Sequence, residues 1–315
     1  MEKLVNDQEI LLLSGPLKET IWGSNYFKNE LKITDNDSIG EMWSCSGYSS
    51  FSSIILNGLY KGKTLDEVFK NNKELFANLS GDKFPILIKL IATNDKLSIQ
   101  VHPDDEYALK NENSLGKFEC WLILRKEEGA KLILGNKAKN KEEIKEYINN
   151  NHFEDLINEV DVNVGDVYVV NPGTIHGIGK GIILLEIQQS SDITYRFYDY
   201  NRLGLDGLPR ELHINKALDV VSVGNYKEKV ININSSDSNL VANNKYFNSI
   251  YLDINGEYEF NNDNEFEIVT SLMDKLIIND NYEVKYGESF IITSKAKKVI
   301  LKGFGKIIIT KANKG

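Results

Sequence analysis

The feature that most narrows the fold is a succession of short apolar strands cut by turn residues. Residues 84–91 form an almost wholly apolar run, 97–101 and 117–124 alternate, 131–134 follows, and 164–170 and 182–189 repeat the pattern. After an Asn- and Ser-rich stretch at 232–244, read as a linker or loop, come 287–292 and 306–310, again short and bounded by turns. Residues two apart on a strand share a face, and many short strands at even spacing close into a sandwich or barrel. The expected fold is mainly β with some helices. A larger domain is predicted over residues 1–235, and a smaller β-rich barrel or sandwich over 236–315. The last histidine is His213, so the tail is expected to hold no metal.

Helices enter at three places. Thr64 followed by Glu67 is a capping box, and Leu65, Val68, Phe69, Leu75 and Phe76 recur at helical spacing, predicting a helix over 64–78. Charge and apolar spacing predict two short helices within 141–160, and another beginning near Glu211 that carries His213, Ala217 and Leu218. His152 and His213 are read as ordinary residues of these helices.

The candidate chemistry starts in Leu97-Ser98-Ile99-Gln100-Val101-His102-Pro103-Asp104-Asp105. On a strand Gln100 and His102 project together, while Leu97, Ile99 and Val101 face the other way into a core. Glu119 sits on the next strand. The segment from Gly165-Asp166 through Asn171-Pro172-Gly173 to His176 is a turn, a strand, a tight turn and then a histidine, which returns His176 to the same barrel. The chain has only four histidines, and two of them fall in these motifs. Gln100, His102, Glu119 and His176 form a mixed N/O set suited to zinc or a similar divalent ion. Lys89 is conspicuous inside an apolar run, because lysine is rarely buried without a partner.

Charge and composition exclude other classes. A net charge of −9 argues against nucleic acid as the main partner, so an anionic substrate needs a local basic site. Two cysteines, Cys45 and Cys120, are too few for a disulfide framework, which fits a cytoplasmic protein. Residues 1–7 lack the basic start and apolar core of a signal peptide, and no apolar run is long enough to span a membrane.

The Gln-x-His pair, the later Glu and the Gly-Asp…Pro-Gly-x-x-His segment resemble the cupin motifs. Within the cupins, the stretches 84–89, 97–105, 116–119 and 186–196 resemble type I mannose-6-phosphate isomerases of the short bacterial form. The similarity runs from Gly15-Pro16 to about Val221 and thins in the tail. It implies a cupin (jelly-roll) β-barrel with one Zn2+ per chain on Gln100, His102, Glu119 and His176. It also implies an active-site arginine at Arg196, and catalytic or substrate-contacting roles for Lys89, Lys117 and Asp192. One departure stands out: Asn171 occupies the place where the motif has Pro, and Pro172 follows one place later, altering the turn before His176.

The reaction so implied interconverts mannose 6-phosphate and fructose 6-phosphate through a cis-enediol. It needs an electrophile, a proton shuttle and a phosphate anchor. A zinc ion on neutral ligands and one carboxylate keeps positive charge for the oxygens at C1 and C2. Lys117, two residues from Glu119, shares its face, and a dication beside it disfavours the ammonium form, as a general base requires. Glu186, with Gln188 on its face, and Asp192 are rivals for that role. Arg196 suits a fork-like contact to phosphate or enediolate, with Lys89 as a second substrate contact and Asp192 placed to orient Arg196 or Lys117. A sugar phosphate is the expected partner, with no nucleic acid or membrane, and the chain as monomer or homodimer. Two other readings are a different metal-dependent cupin enzyme, such as an iron dioxygenase, and a non-catalytic sugar-binding cupin.

Overall fold

The computed structural model describes residues 8–150, 152–235 and 239–313. Residues 1–7, on which the signal-peptide expectation rests, lie outside them, as do 236–238 within the expected linker. No helix among the described residues is long and apolar enough to cross a membrane.

The chain divides into two compact units. One gathers Leu17–Glu41 and Ile91–Asn234; the other gathers Met1–Pro16, Met42–Leu90 and Ser235–Gly315. The division expected at 235 is therefore one crossing among several. The C-terminal strands recruit sequence-distant partners, as when Ile10–Leu12 pairs with Ser289–Ile292.

The first unit carries two antiparallel strand arrays. One is ordered Tyr195–Tyr198, Ile99–Val101, His176–Ile178, Lys131–Asn136, Ile157–Asp161. The other includes, side by side, Ile231–Asn232, Asp166–Val170, Glu119–Lys126 and Ile182–Gln189. Strand alternation sorts their side chains. Leu132, Leu134 and Ile178 from the first array pack with Trp121, Ile123, Tyr168, Val170 and Leu184 from the second. The intervening Ile133, with Ile99, Val101, Tyr195 and Phe197, faces the other way, onto Ile144, Phe153, Leu156 and Ala217 from the helices Lys141–Asn149, Phe153–Leu156 and Ile214–Val220. Burying each large apolar side chain stabilises the fold by about 1.5–3 kcal/mol. Leu97 departs from the expected alternation: it packs with Trp121 rather than with Ile99 and Val101, because the strand starts only at Ile99.

Three other local expectations shift. The stretch 141–160 ends in a strand, Ile157–Asp161, which pairs with Lys131–Asn136. His152 and His213 sit just ahead of their helices, at positions where neither caps through its side chain. The helix over 64–78 is shorter, Leu65–Asn71, with the capping box formed; a 3-10 turn, Lys73–Phe76, follows and ends at Ala77 with φ +52°.

In the second unit, the tail strands are longer than their sequence suggests. Phe247–Asn261 and Lys298–Ala312, 15 residues each, pair along their whole length. Gly256 and Gly303 stand opposite one another mid-ladder, and Gly256 takes φ +97°. Both glycines lie within continuous strands. Phe290, Ile292, Val299, Leu301, Ile307 and Ile309 centre this unit's core.

Candidate metal centre

Register brings the expected ligands together. His176 and Arg196 are the Cα partners of Gln100 on its two neighbouring strands. Gln100 faces away from the Ile99 and Val101 side, toward the interior where Trp121 and Ile178 lie. Glu119 is two residues before Trp121 and His176 two before Ile178, so both join that face at one end of the core.

The turn that delivers His176 is specified locally. Thr174 donates its N–H to the Asn171 carbonyl at 3.1 Å, with Pro172 and Gly173 as central residues and Gly173 at φ +85°. Pro there presets φ, and Gly accepts the left-handed conformation. Asn171, where the motif has Pro, leaves this turn formed and donates through Nδ2 to Glu228 Oε1 at 2.8 Å. A Cβ on Gly173 would lie 2.6 Å from Ser222 Oγ. The Gly173 N–H donates to the His102 carbonyl at 2.9 Å, tying the turn to a second candidate ligand.

The cluster itself is tight and closed to solvent. Ligand atoms of His102, Glu119 and His176 lie within 4.8 Å of one another, and none of the three residues is more than 1% exposed. His102 Nε2 is 3.1 Å from His176 Nε2 and 3.2 Å from Glu119 Oε1, and His176 Nε2 is 3.7 Å from Glu119 Oε2. Gln100 Nε2 approaches His176 Nε2 at 3.4 Å. His176 Nδ1 lies 2.9 Å from the Thr174 carbonyl, which can only accept, so Nδ1 carries the proton and Nε2 presents its lone pair inward.

Electrostatics keep the nitrogens available. Burial, then Lys117, pushes the His102 imidazole down to about 3, and burial lowers His176 too. Burial raises the Glu119 carboxyl, but Lys117 and the two imidazoles outweigh it and hold Glu119 well below the usual carboxylate range. Lys117 Nζ lies 2.9 Å from Glu119 Oε1 as an ion pair without hydrogen-bond alignment; both Glu119 oxygens and His102 Nδ1 are buried with no hydrogen bond. Two neutral imidazoles and an ionised carboxylate, with buried oxygens lacking hydrogen-bond donors, are the donor set a divalent ion requires, and an amide stands alongside. The residues present fit the group.

The other expected residues differ in their surroundings. Arg196 donates through Nε to Ser98 Oγ at 3.2 Å and through Nη1 to the Glu211 carbonyl at 2.8 Å, and no carboxylate pairs with it among the described residues. Glu186 is buried and accepts from Trp121 Nε1 at 2.9 Å. Asp192 meets Lys18 Nζ at 3.2 Å; it hydrogen-bonds neither Arg196 nor Lys117, the two groups it was expected to orient. Lys18 supplies an ion-pair partner, and the Asp192 charge also acts on Arg196. Lys89, in the other unit, is buried as anticipated, with its ammonium 4.7 Å from the Trp43 ring centroid.

Sequence reasoning passed over Ser98 and Trp121. Ser98 donates to Gln100 Oε1 at 3.1 Å while accepting from Arg196, and the Trp121 ring sits edge-on to His176 at 5.5 Å. Spacing could have found both: Ser98 is two residues before Gln100 and Trp121 two after Glu119.

Curled antiparallel sheets enclosing a buried His-Glu-His cluster define the class: the fold is a cupin. The family model "Phosphomannose isomerase type I, catalytic domain" matches residues 10–157, and "Mannose-6-phosphate isomerase, cupin domain" matches 236–312. A mannose-6-phosphate isomerase of Streptococcus mutans is 35% identical over 312 residues, covering 97% of this chain and 99% of its own. The crystal structure of the mannose 6-phosphate isomerase from Bacillus subtilis superimposes with a TM-score of 0.87 at 36% identity, over 96% of this chain and 99% of that one. The chain belongs to the type I phosphomannose isomerase family. A mannose 6-phosphate isomerase solved with bound zinc and yttrium, 16% identical and with a TM-score of 0.72 over 97% of this chain and 100% of its own, shares the fold.

Proposed function

We propose that this chain interconverts mannose 6-phosphate and fructose 6-phosphate through a cis-enediol, in the cytoplasm, as a zinc enzyme acting alone or as a homodimer. The observation that carries the reading is the buried His102–Glu119–His176 cluster with Lys117 seated on Glu119, in a chain of this family. Gln100, His102, Glu119 and His176 would hold the ion, residues 1–235 would contain the catalytic apparatus, and the tail from 236 would be metal-free. The ion, when bound, supplies Lewis-acid stabilisation of charge developing on the sugar oxygens at C1 and C2.

The chain's own residues do the rest. Lys117 touches the cluster through Glu119, so we assign it the transfer of the proton between C1 and C2, with Glu186 and Asp192 as the competing assignments. Arg196 has its Nε and one Nη1 proton engaged and no carboxylate neutralising it, which leaves a charged edge for an anionic oxygen of substrate. Enclosure of the cluster excludes water, strengthening each of these interactions.

The test is a coupled assay of mannose 6-phosphate to fructose 6-phosphate on purified protein before and after chelation. Turnover should vanish with chelator and return with zinc. Absence of turnover in the zinc-loaded protein would assign the site to other chemistry.

A further inference from the structure

Gln188 is a buried polar side chain to which the mechanism above gives no task. It stands directly opposite Glu119 in the register of Glu119–Lys126 with Ile182–Gln189. Two residues along each strand, Trp121 stands opposite Glu186, and there the side chains meet, Trp121 Nε1 donating to Glu186 Oε1 at 2.9 Å. Alternation then puts Gln188 and Glu119 on that same face. Gln188 is 0% exposed.

Its amide has one orientation. Nε2 donates to the carbonyl oxygens of Gln189 at 2.9 Å and Ser191 at 2.5 Å, and only the NH2 end of an amide can face two carbonyls. Oε1 is thereby held away from that turn, buried, and accepts no hydrogen bond. Buried carbonyl oxygens nearly always find a donor, so one held in place without a protein donor calls for a donor from outside the chain.

We propose that Gln188 Oε1 accepts a hydrogen bond from a hydroxyl of the bound sugar phosphate, making Gln188 a specificity-determining residue; the inference rests on the isomerase reading. A fixed neutral acceptor matches a sugar O–H. A phosphate group has mainly acceptor oxygens and would be repelled beside Gln188 Oε1, Glu119 and Glu186, so Gln188 serves the polyol end of the substrate. A site built to bond a hydroxyl rejects the analogue that lacks it, far more sharply than an apolar wall does.

The experiment uses the zinc-loaded protein and calorimetric dissociation constants for mannitol 6-phosphate, the reduced and unreactive form of the substrate, and for analogues each lacking one hydroxyl. The wild type should bind one deoxy analogue about tenfold more weakly than the parent. Gln188→Met keeps the length and removes the acceptor, together with the Nε2 donor to the Gln189 and Ser191 carbonyls; it should melt at a lower temperature, bind the parent about tenfold more weakly and show no preference at that hydroxyl, with metal content unchanged. Equal preferences in both proteins across the series overturn the proposal. If the Met variant does not fold, a crystal of the wild type with mannitol 6-phosphate decides: a sugar oxygen within about 3.2 Å of Gln188 Oε1 upholds it, and none overturns it. A zinc-loaded wild type that neither turns over mannose 6-phosphate nor binds the reduced form ends the isomerase reading and this proposal together; wild-type turnover with unaltered selectivity in the variant ends this proposal alone.

Discussion

Glu119 and Glu267 are both strand carboxylates buried to within 1% of complete enclosure, yet their surroundings drive them in opposite directions. Around Glu119 stand Lys117 and two imidazoles, and the carboxyl is held well below the usual range. Around Glu267 stands one ion-paired lysine, Lys311, with Asp263 and Glu265 nearby; burial prevails and the carboxyl is pushed up. Burial alone therefore does not make a site. What separates the candidate ligand from the structural acid is the surrounding nitrogen atoms, Lys117 first, that keep it ionised.

The sharpest way to break this contrast is Glu119→Gln, which removes the charge but not the shape. Bound metal should be lost and turnover should fall by roughly 10³-fold or more, since the lost charge stabilisation is worth several kcal/mol; metal analysis beside the coupled assay reads both. Arg196→Ala should leave the metal in place yet cut turnover by about 10²–10³-fold, the usual scale for removing a group that stabilises developing charge. Near-normal rates would take Arg196 out of the mechanism.

Acid should pull the two carboxylates apart in sign. His102 and His176 have lowered values in the fold, so the unfolded chain binds more protons, and the metal-free protein should lose stability as pH falls below about 6.5. The depressed Glu119 adds a further loss at more acid pH, below about 4.3. Glu267 is raised, so there the fold binds more protons, and falling pH should stabilise it until about 4.3 is reached. Denaturant melts of wild type and Glu267→Gln across this range measure the difference. The smallest effect belongs to Glu267→Gln at neutral pH, where stability should move by no more than about 1 kcal/mol and turnover should be unchanged.

Much of the candidate centre was legible in the sequence because strand alternation is a local rule. Gln100 and His102 share a face by spacing, and the Pro172-Gly173 turn announces the return of His176. The Arg196 contacts were not legible, since they depend on Arg196 arriving opposite Gln100 from a separate strand. The partner of Asp192 was not legible either: its nearness to Arg196 in sequence says nothing of Lys18, which lies 174 residues away. In the tail, the short strand expected over 306–310 is part of a 15-residue strand, because the length of a ladder is settled by its cross-strand partner.

His102 and His176, 74 residues apart in the chain, bring their Nε2 atoms within 3.1 Å. An ion gripped by both would act as a clip across that loop, restricting the unfolded chain much as a covalent crosslink does. Such an ion must be released before the strands can part freely, so stripping it should hasten unfolding as well as silence the chemistry. Persistence of the folded molecule and its ability to turn over substrate would then be governed by the same few nitrogen and oxygen atoms.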